Sequence, residues 1–493
     1  MAGIGFELKK LYAKRGVFAK IRAASYSVSV CAGPMLLGTL TLLLIYLVCR
    51  FFGRSEQERE VLVCITTYSY LYAAVLTSAF SMVVTRFLSD MLYSEHPEAI
   101  LPSFFGVNAV TLLIGGVTYA GFLCFCGFSF PRGILCWSFF LELVVVCNMQ
   151  SYLSAVREYR LVAVSGLLSM TGAIGVTALS LWLGADTVCG TLTGLITGYG
   201  LMMVFDFAAL YRRFPDSGMS PYLCLRWFDR FRKLMFCGLF LSLGTVSHLV
   251  IVWHSALRTV VEERLICAPG YDLPAFLAYF TTIVTTVGFA VSLEVNFYPK
   301  FRDYCYLLND RGTVRDIVRA EKEMNRTLQR ELWYTGLKQL FFTTASISLG
   351  EFVLGRLPLG FNHLMFGYFR TLCIAYGIYA LADTMLLLLL YYNDDSGALC
   401  GAFLFALSAS VLTAVSLRIP AAFWGIGFLA GNVIFFVYTV FRLNYRAKRI
   451  SYFILAAQPV VSESREGVFT KIGAMLERKL DGRKRDRDNT AQQ

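Results

Sequence analysis

Through most of this 493-residue chain the apolar residues fall in blocks near 20 long, separated by short polar or charged stretches. An α-helix rises 1.5 Å per residue, so a block of that length crosses a hydrocarbon layer about 30 Å thick. The pattern predicts twelve spanning helices, at 24–51, 61–85, 104–129, 133–153, 161–184, 187–210, 234–257, 274–298, 335–355, 365–391, 398–417 and 420–441. Proline breaks a helical ladder, and eleven of the twelve prolines sit in connections, at span ends or in the tail. The twelfth, Pro34, follows Gly33 inside span one, where the pair predicts a kink or unwound turn.

Three segments outside the spans have a helical period of their own. Residues 4–22 set Ile4, Leu8, Leu11 and Phe18 beside Lys9, Lys10, Lys14 and Arg15, the pattern of a helix lying in the membrane interface. Residues 313–332 begin with Thr313 as N-cap and carry Ile317, Ala320, Met324, Leu328 and Leu332 along one side. Residues 466–480 repeat the pattern with Val468, Ile472, Met475, Leu476 and Leu480. The apolar sides of the last two either rest on lipid headgroups or dock a cytoplasmic partner. Residues 481–493 are polar and charged, a composition that predicts disorder.

Composition agrees with a membrane protein: 57% of residues are hydrophobic and 16% charged, against roughly 25% charged in soluble domains. Lysine and arginine then orient the spans. With the N-terminus inside, 36 of the 45 cations fall in inner segments, as expected of a cytoplasmic side. The even number of spans returns the C-terminus to that side. The inner loop Asn393-Asp394-Asp395 dissents, having no cation. The net charge of +12 is therefore a topological signature. No soluble basic domain is present to bind nucleic acid. The first 22 residues hold six cations, but the apolar run after them is too long for a signal-peptide core and predicts a retained span in the cell membrane.

Little else suggests cofactor or enzyme chemistry. The 14 cysteines show no C-x-x-C pairing and read as small buried hydrophobes. His248 and His254 are six apart, on different sides of a helix, where zinc would want three or four. No nucleophile motif, metal spacing or phosphate loop occurs, so neither cofactor nor catalysis is expected.

A charge at the centre of a spanning helix costs roughly 2.5–3.5 kcal/mol, so each one asks for a reason. Arg86, Asp206 and Arg370 lie near span ends, Glu142 and Asp383 lie deeper, and Glu294 sits a turn from the end of span eight beside Asn296. On a helical wheel Thr282, Thr285, Ser292 and Asn296 share an arc of about 80°, with Glu294 pointing elsewhere. The candidates for a substrate or proton path are Glu142, Glu294, Asn296, Asp383, Arg86 and His248, with Gly33 and Pro34 as the hinge.

Several stretches resemble the PelG family, the polytopic membrane component of the Pel exopolysaccharide export system. They are the opening Met-Ala-Gly-Ile-Gly-Phe-Glu-Leu-Lys-Lys, Ala32-Gly33-Pro34, Arg86-Phe87-Leu88-Ser89-Asp90, Tyr271-Asp272-Leu273-Pro274-Ala275-Phe276-Leu277-Ala278-Tyr279 and Glu294-Val295-Asn296-Phe297-Tyr298. The resemblance runs from residue 1 to about 450. The chain departs from the family pattern at Ser247-His248, where that pattern has Asp-Lys, and at Glu294-Val295-Asn296-Phe297, where it has Glu-Thr-Asp-Phe. Only the glutamate of the second motif carries over.

The resemblance implies the fold of the multidrug, oligosaccharidyl-lipid and polysaccharide exporters, an all-α polytopic membrane protein with two pseudo-symmetric six-helix bundles. The expected layout is an interfacial helix at 1–22, bundles at 23–210 and 234–441, the second including the cytoplasmic helix 313–332, a basic connection at 211–233, and a basic tail at 442–493. Of an internal repeat, the chain shows only Asp90 and Tyr93 after span two aligning with Asp303 and Tyr306 after span eight. The implied function is export of an amino-sugar polysaccharide made by a cytoplasmic UDP-sugar glycosyltransferase, alongside membrane subunits of a Pel-type complex. A flippase for lipid-linked oligosaccharides, a drug exporter, or a membrane scaffold for the synthase are the alternatives.

Overall fold

The computed structural model describes residues 33–156, 159–214, 219–261, 264–309, 312–356, 361–456 and 467–478. The expected helix at 4–22 lies outside them, and the expected kink at Gly33-Pro34 falls at their edge. Among the described residues ten helices are long and apolar enough to cross a membrane, matching spans two to eight and ten to twelve. Span one is represented by α1 (Gly33–Phe51). Thirteen described cysteines are free thiols.

Contacts divide the chain into two compact units. The first holds α1, α2 (Glu56–Tyr93), α3 (Ile100–Cys126), α4 (Phe130–Val156), α5 (Tyr159–Trp182), α6 (Thr187–Arg213), the short α7 (Leu225–Arg230) and the first half of α8 (Arg232–Trp253). Local signals mark the ends. Ser55 and Glu58 form a capping box at the start of α2, Asp186 caps α6, and Gly127 ends α3 in the left-handed conformation, φ 73°.

The second unit holds the rest of α8, α9 (Pro269–Tyr279), α10 (Thr282–Ser292), α11 (Tyr298–Asn309), α12 (Val314–Leu354), α13 (His363–Tyr391), α14 (Asp395–Ser416), α15 (Gly425–Ala447) and α16 (Ile450–Ala456). Span eight, expected as one helix, is interrupted between α9 and α10 and again by a π turn at Leu293–Phe297. Pro274 lies within α9, inside the apolar segment rather than at its end.

Helices cannot associate in lipid by the hydrophobic effect, so small residues that allow close backbone contact decide the pairs. On α6, a Cβ at Gly194 would lie 2.0 Å from Thr177 Oγ1, and one at Gly198 would lie 2.7 Å from the Ser169 carbonyl of α5. On α15, a Cβ at Gly427 would meet the Leu412 carbonyl at 2.3 Å, and one at Gly431 would meet Ala409 Cα of α14 at 2.7 Å. The same Gly-x-x-x-Gly spacing thus seals the last helix pair of each unit, a repeat stronger than the Asp-Tyr alignment.

The contact boundary falls between Ser242 and Leu243, inside α8, and not in the basic connection 211–233. Glycines on α8 explain this. Gly238 abuts the Ser78 carbonyl of α2, whereas Gly244 abuts the Phe405 ring of α14. The connection itself folds onto the first unit, where Trp227 Nε1 donates to Asp90 at 2.9 Å.

The cytoplasmic helix and span nine, expected as separate elements, form the single 41-residue helix α12, capped by Thr313. On its apolar side Met324 and Leu328 are buried within the chain, and α11 packs against the helix. Ser451 donates to Glu321 at 2.7 Å, and Lys300 donates to Glu323 at 2.6 Å. Residues 468–478 are helical and pack on α7. Asp229 accepts the Thr470 N–H and hydroxyl at 2.6 and 2.8 Å, Phe469 meets Phe228, and Ser220 donates to Glu477. Residues 450–456 and 467–478 of the expected tail are therefore docked.

The dissenting loop finds its cations in three dimensions. Asp394 caps α14 and accepts from Arg442 at 2.6 and 2.9 Å and from Arg446 at 2.8 Å. The acidic loop and the basic end of α15 thus lie at the same end of the unit.

Candidate functional site

Within the second unit a polar cluster inside the spans centres on His248. α8 carries the histidine into the interior, where it is fully buried. Its Nδ1 lies 3.0 Å from the Tyr271 hydroxyl on α9, and its Nε2 lies 3.0 Å from the Tyr376 hydroxyl on α13. The ring stacks on Phe428 of α15, centroids 3.9 Å apart and planes 24° from parallel. Tyr368 and Tyr279 add edge contacts to Tyr271 and Tyr376, at 5.2 and 5.3 Å. Four helices are joined through one imidazole.

Five residues along, Trp253 Nε1 donates to both oxygens of Asp272, at 2.9 and 2.8 Å. Asp272 also accepts the Ala268 N–H at 3.1 Å and so ties the start of its own helix. A neutral imidazole offers one donor and one acceptor, and a phenol can be either. The imidazole can therefore keep both tyrosine hydroxyls bonded, and the Thr245 backbone is a further hydrogen-bond partner of the ring. In this conformation it acts as a pin between helices.

The threonine side of span eight faces α12. Thr285 donates to Gln339, Gln339 donates to Thr343 at 3.1 Å, and Ser292 donates to Glu331 at 2.8 Å. Glu294 is 9% exposed and lies in the π turn, within electrostatic range of Tyr391. As the wheel predicts, it meets a different neighbour. Asn296 departs from expectation: it is exposed and has left the threonine stripe. The cause is the π turn, in which the Tyr298 N–H reaches Leu293 five residues back and underwinds the helix. Asp383 is half-buried on α13, near enough to Tyr279 to act on it electrostatically.

The other predicted residues belong to the first unit. Glu142, on α4, has one carboxylate oxygen 3.6 Å from the Cβ position of Gly200 on α6, while the other has no hydrogen-bond partner among the described residues. Arg86 is exposed, pairs with Asp90 at 3.2 Å and covers the Phe231 ring at 5.3 Å. It belongs to a surface clamp that holds α7 to α2, and it does not join the buried carboxylates. Asp206 accepts from Ser165 at 2.6 Å through one oxygen, its other oxygen being buried without a hydrogen-bond partner among the described residues, and Arg370 pairs with Glu351.

Sequence reasoning singled out His248 but not its partners. Tyr271-Asp272 carried a signal through the family-like stretch entering span eight; Tyr376 and Phe428 carried none. The buried pair Asn108 and Asn148, bonded at 3.0 Å between α3 and α4, was also missed.

No curated protein matches the chain by sequence. By fold it is similar to the Vibrio cholerae MATE transporter VcmN in its bent form, with TM-score 0.55, 11% identity, and coverage of 88% of this chain and 99% of that one. A point mutant of the same transporter gives TM-score 0.59 at 11% identity, covering 87% and 99%. A MOP-superfamily transporter from Pyrococcus furiosus gives 0.50 at 10% identity, covering 86% and 96%. At such identities the likeness is one of fold. Residues 1–455 match the family PelG, described as "Putative exopolysaccharide Exporter (EPS-E)". With a match that runs through both compact units of an all-α, multi-pass transporter fold, the chain belongs to the PelG family of membrane exporters.

Proposed function

We propose that the chain moves a Pel-like, partly deacetylated amino-sugar polysaccharide from the cytoplasm to the outside of the inner membrane. A cytoplasmic UDP-sugar glycosyltransferase feeds it, together with membrane subunits of a Pel-type complex, and both termini lie in the cytoplasm. The observation that carries this reading is the family match over residues 1–455. The carboxylates add to it. A polymer bearing free amines is cationic, and acids placed inside spanning helices are the groups that would meet it or exchange protons with it. Glu142, Glu294 and Asp383 have this character, and Glu294 sits in a π turn, a distortion frequent at functional sites.

The reading is tested by supplying the candidate glycosyltransferase and measuring polymer outside the cell with and without this chain. Secretion only in its presence supports the reading; polymer outside without it refutes the reading. Glu294→Gln, at unchanged protein level, is expected to lower secretion several-fold. Unchanged secretion removes Glu294 from the path.

A further inference from the structure

The extramembrane half of α12 has a second side that its packing leaves open. Arg315, Arg319, Lys322, Arg326 and Arg330 are all exposed. At 100° per residue they fall within an arc of about 80°, a single basic stripe. The acids of this segment have other partners: Glu321 meets Ser451, Glu323 meets Lys300 with Arg319 of the stripe in electrostatic range, Glu331 meets Ser292, and Asp316 meets the Thr313 cap. Arg330 also touches Glu331, at 3.3 Å.

From Trp333 onward most exposed positions of the same helix turn apolar, with Trp333, Leu337, Leu340, Phe341, Leu349 and Phe352 all open, while Lys338 and Thr344 are among the exposed polar exceptions. That switch, opening on an aromatic residue, marks the membrane boundary. Because α12 is continuous, the stripe leaves the bilayer with it. At 1.5 Å per residue, Arg330 stands about 5 Å beyond Trp333 along the axis, Lys322 about 17 Å and Arg315 about 27 Å. A tilt of 40° shortens these heights by only about a quarter. Headgroups add only about 5–8 Å to each side of the hydrocarbon, and the Debye length is about 8 Å at physiological salt. Lipid charge therefore reaches the base of the stripe and not its two outermost cations, Arg315 and Arg319, while Lys322 stands clear of the headgroups themselves.

We propose that this stripe docks the acidic face of a partner protein, held along some 22 Å of helix from Arg315 to Arg330. The complementary charge must come from a body that stands off the membrane, which a protein does and a headgroup does not. The assignment goes beyond the export reading and is independent of which polymer is moved.

The test places the photocrosslinking residue p-benzoylphenylalanine at position 322 of the full chain, in its native membranes, with a second probe at Leu337 as the lipid-facing reference. The expected result is a crosslink from position 322 to a second protein, mapped by mass spectrometry to a peptide rich in Asp and Glu. Its yield should fall at least tenfold when Arg315, Arg319 and Arg326 become Glu. The milder triple change to Gln, at exposed positions, should lower it about fivefold with an unchanged size-exclusion profile. A position-322 crosslink confined to lipid or to the chain itself, a partner peptide without acidic residues, or a yield unaffected by either set of changes overturns the proposal.

Discussion

Asp394 offers a sharp quantitative test of how the second unit is held. Its side chain is fully buried between Arg442, one-third exposed, and Arg446, 13% exposed. Asp394→Asn keeps an N-cap for α14, since Asn and Asp cap about equally well, but removes the charge that both guanidiniums face. Breaking a buried ion pair from one side costs about 3–5 kcal/mol. Because Arg442 can turn to water, the lower end, about 3 kcal/mol, is expected. Asp394→Ala should cost about 1 kcal/mol more through the lost cap. At about 2–4 °C per kcal/mol for a unit of this size, the Asn variant should melt some 6–12 °C lower in a detergent-solubilised thermal unfolding assay.

The pH dependence has a definite sign. Burial pushes the Asp394 carboxyl upward, but hydrogen bonds from Arg446 and Arg442 and from the Gly397 N–H outweigh it and hold the group well below the usual carboxylate range. A depressed carboxylate contributes its full stabilisation above its unfolded value near 3.9 and loses it as pH falls below that. The gap between wild type and Asp394→Asn should therefore stay constant from pH 8 to pH 5. A gap under 2 °C, or one that shrinks between pH 7 and pH 5, refutes the reasoning.

Other perturbations probe the remaining contacts. His248→Phe preserves the stack on Phe428 but strands the hydroxyls of Tyr271 and Tyr376, each costing about 1–3 kcal/mol; adding Tyr271→Phe and Tyr376→Phe should recover part of the lost melting temperature, and a triple variant less stable than the single would contradict the pin. Gly194→Val drives a side chain into Thr177 and the Ala173 carbonyl and should lower folded yield sharply, as should Gly427→Val, whereas Gly121→Ala, with open space around it, should be neutral; equal yields would show that the helix pairs tolerate separation. Asp229→Ala removes both Thr470 bonds, so trypsin should cut at Lys471 several-fold faster, and an unchanged rate would mean that other contacts hold residues 468–478.

Much of the fold was legible one residue at a time. Hydropathy blocks located the spans, and Thr313 announced the start of α12. These are properties of a short segment against its solvent, and the solvent here is lipid. The glycine pairs 194/198 and 427/431 were equally visible, but close packing is one of several reasons for a glycine. Their meaning appeared only beside Thr177 and Leu412.

What the tertiary structure decided was pairing. His248 was conspicuous as a polar residue in a span, yet its partners lie 23 and 128 residues away, and periodicity carries no information about a second helix. The wheel placed Asn296 with the threonines because it assumed 3.6 residues per turn; the π turn changes that count by one residue and moves the side chain outside. The apolar side of 313–332 was legible as a surface needing cover, but that Met324 and Leu328 are buried within the chain, with α11 packed on the helix, was not. A chain by itself determines which surfaces must leave water and where helices begin. Which surface meets which depends on shape and on competition among all the other helices, and exists only once they have packed.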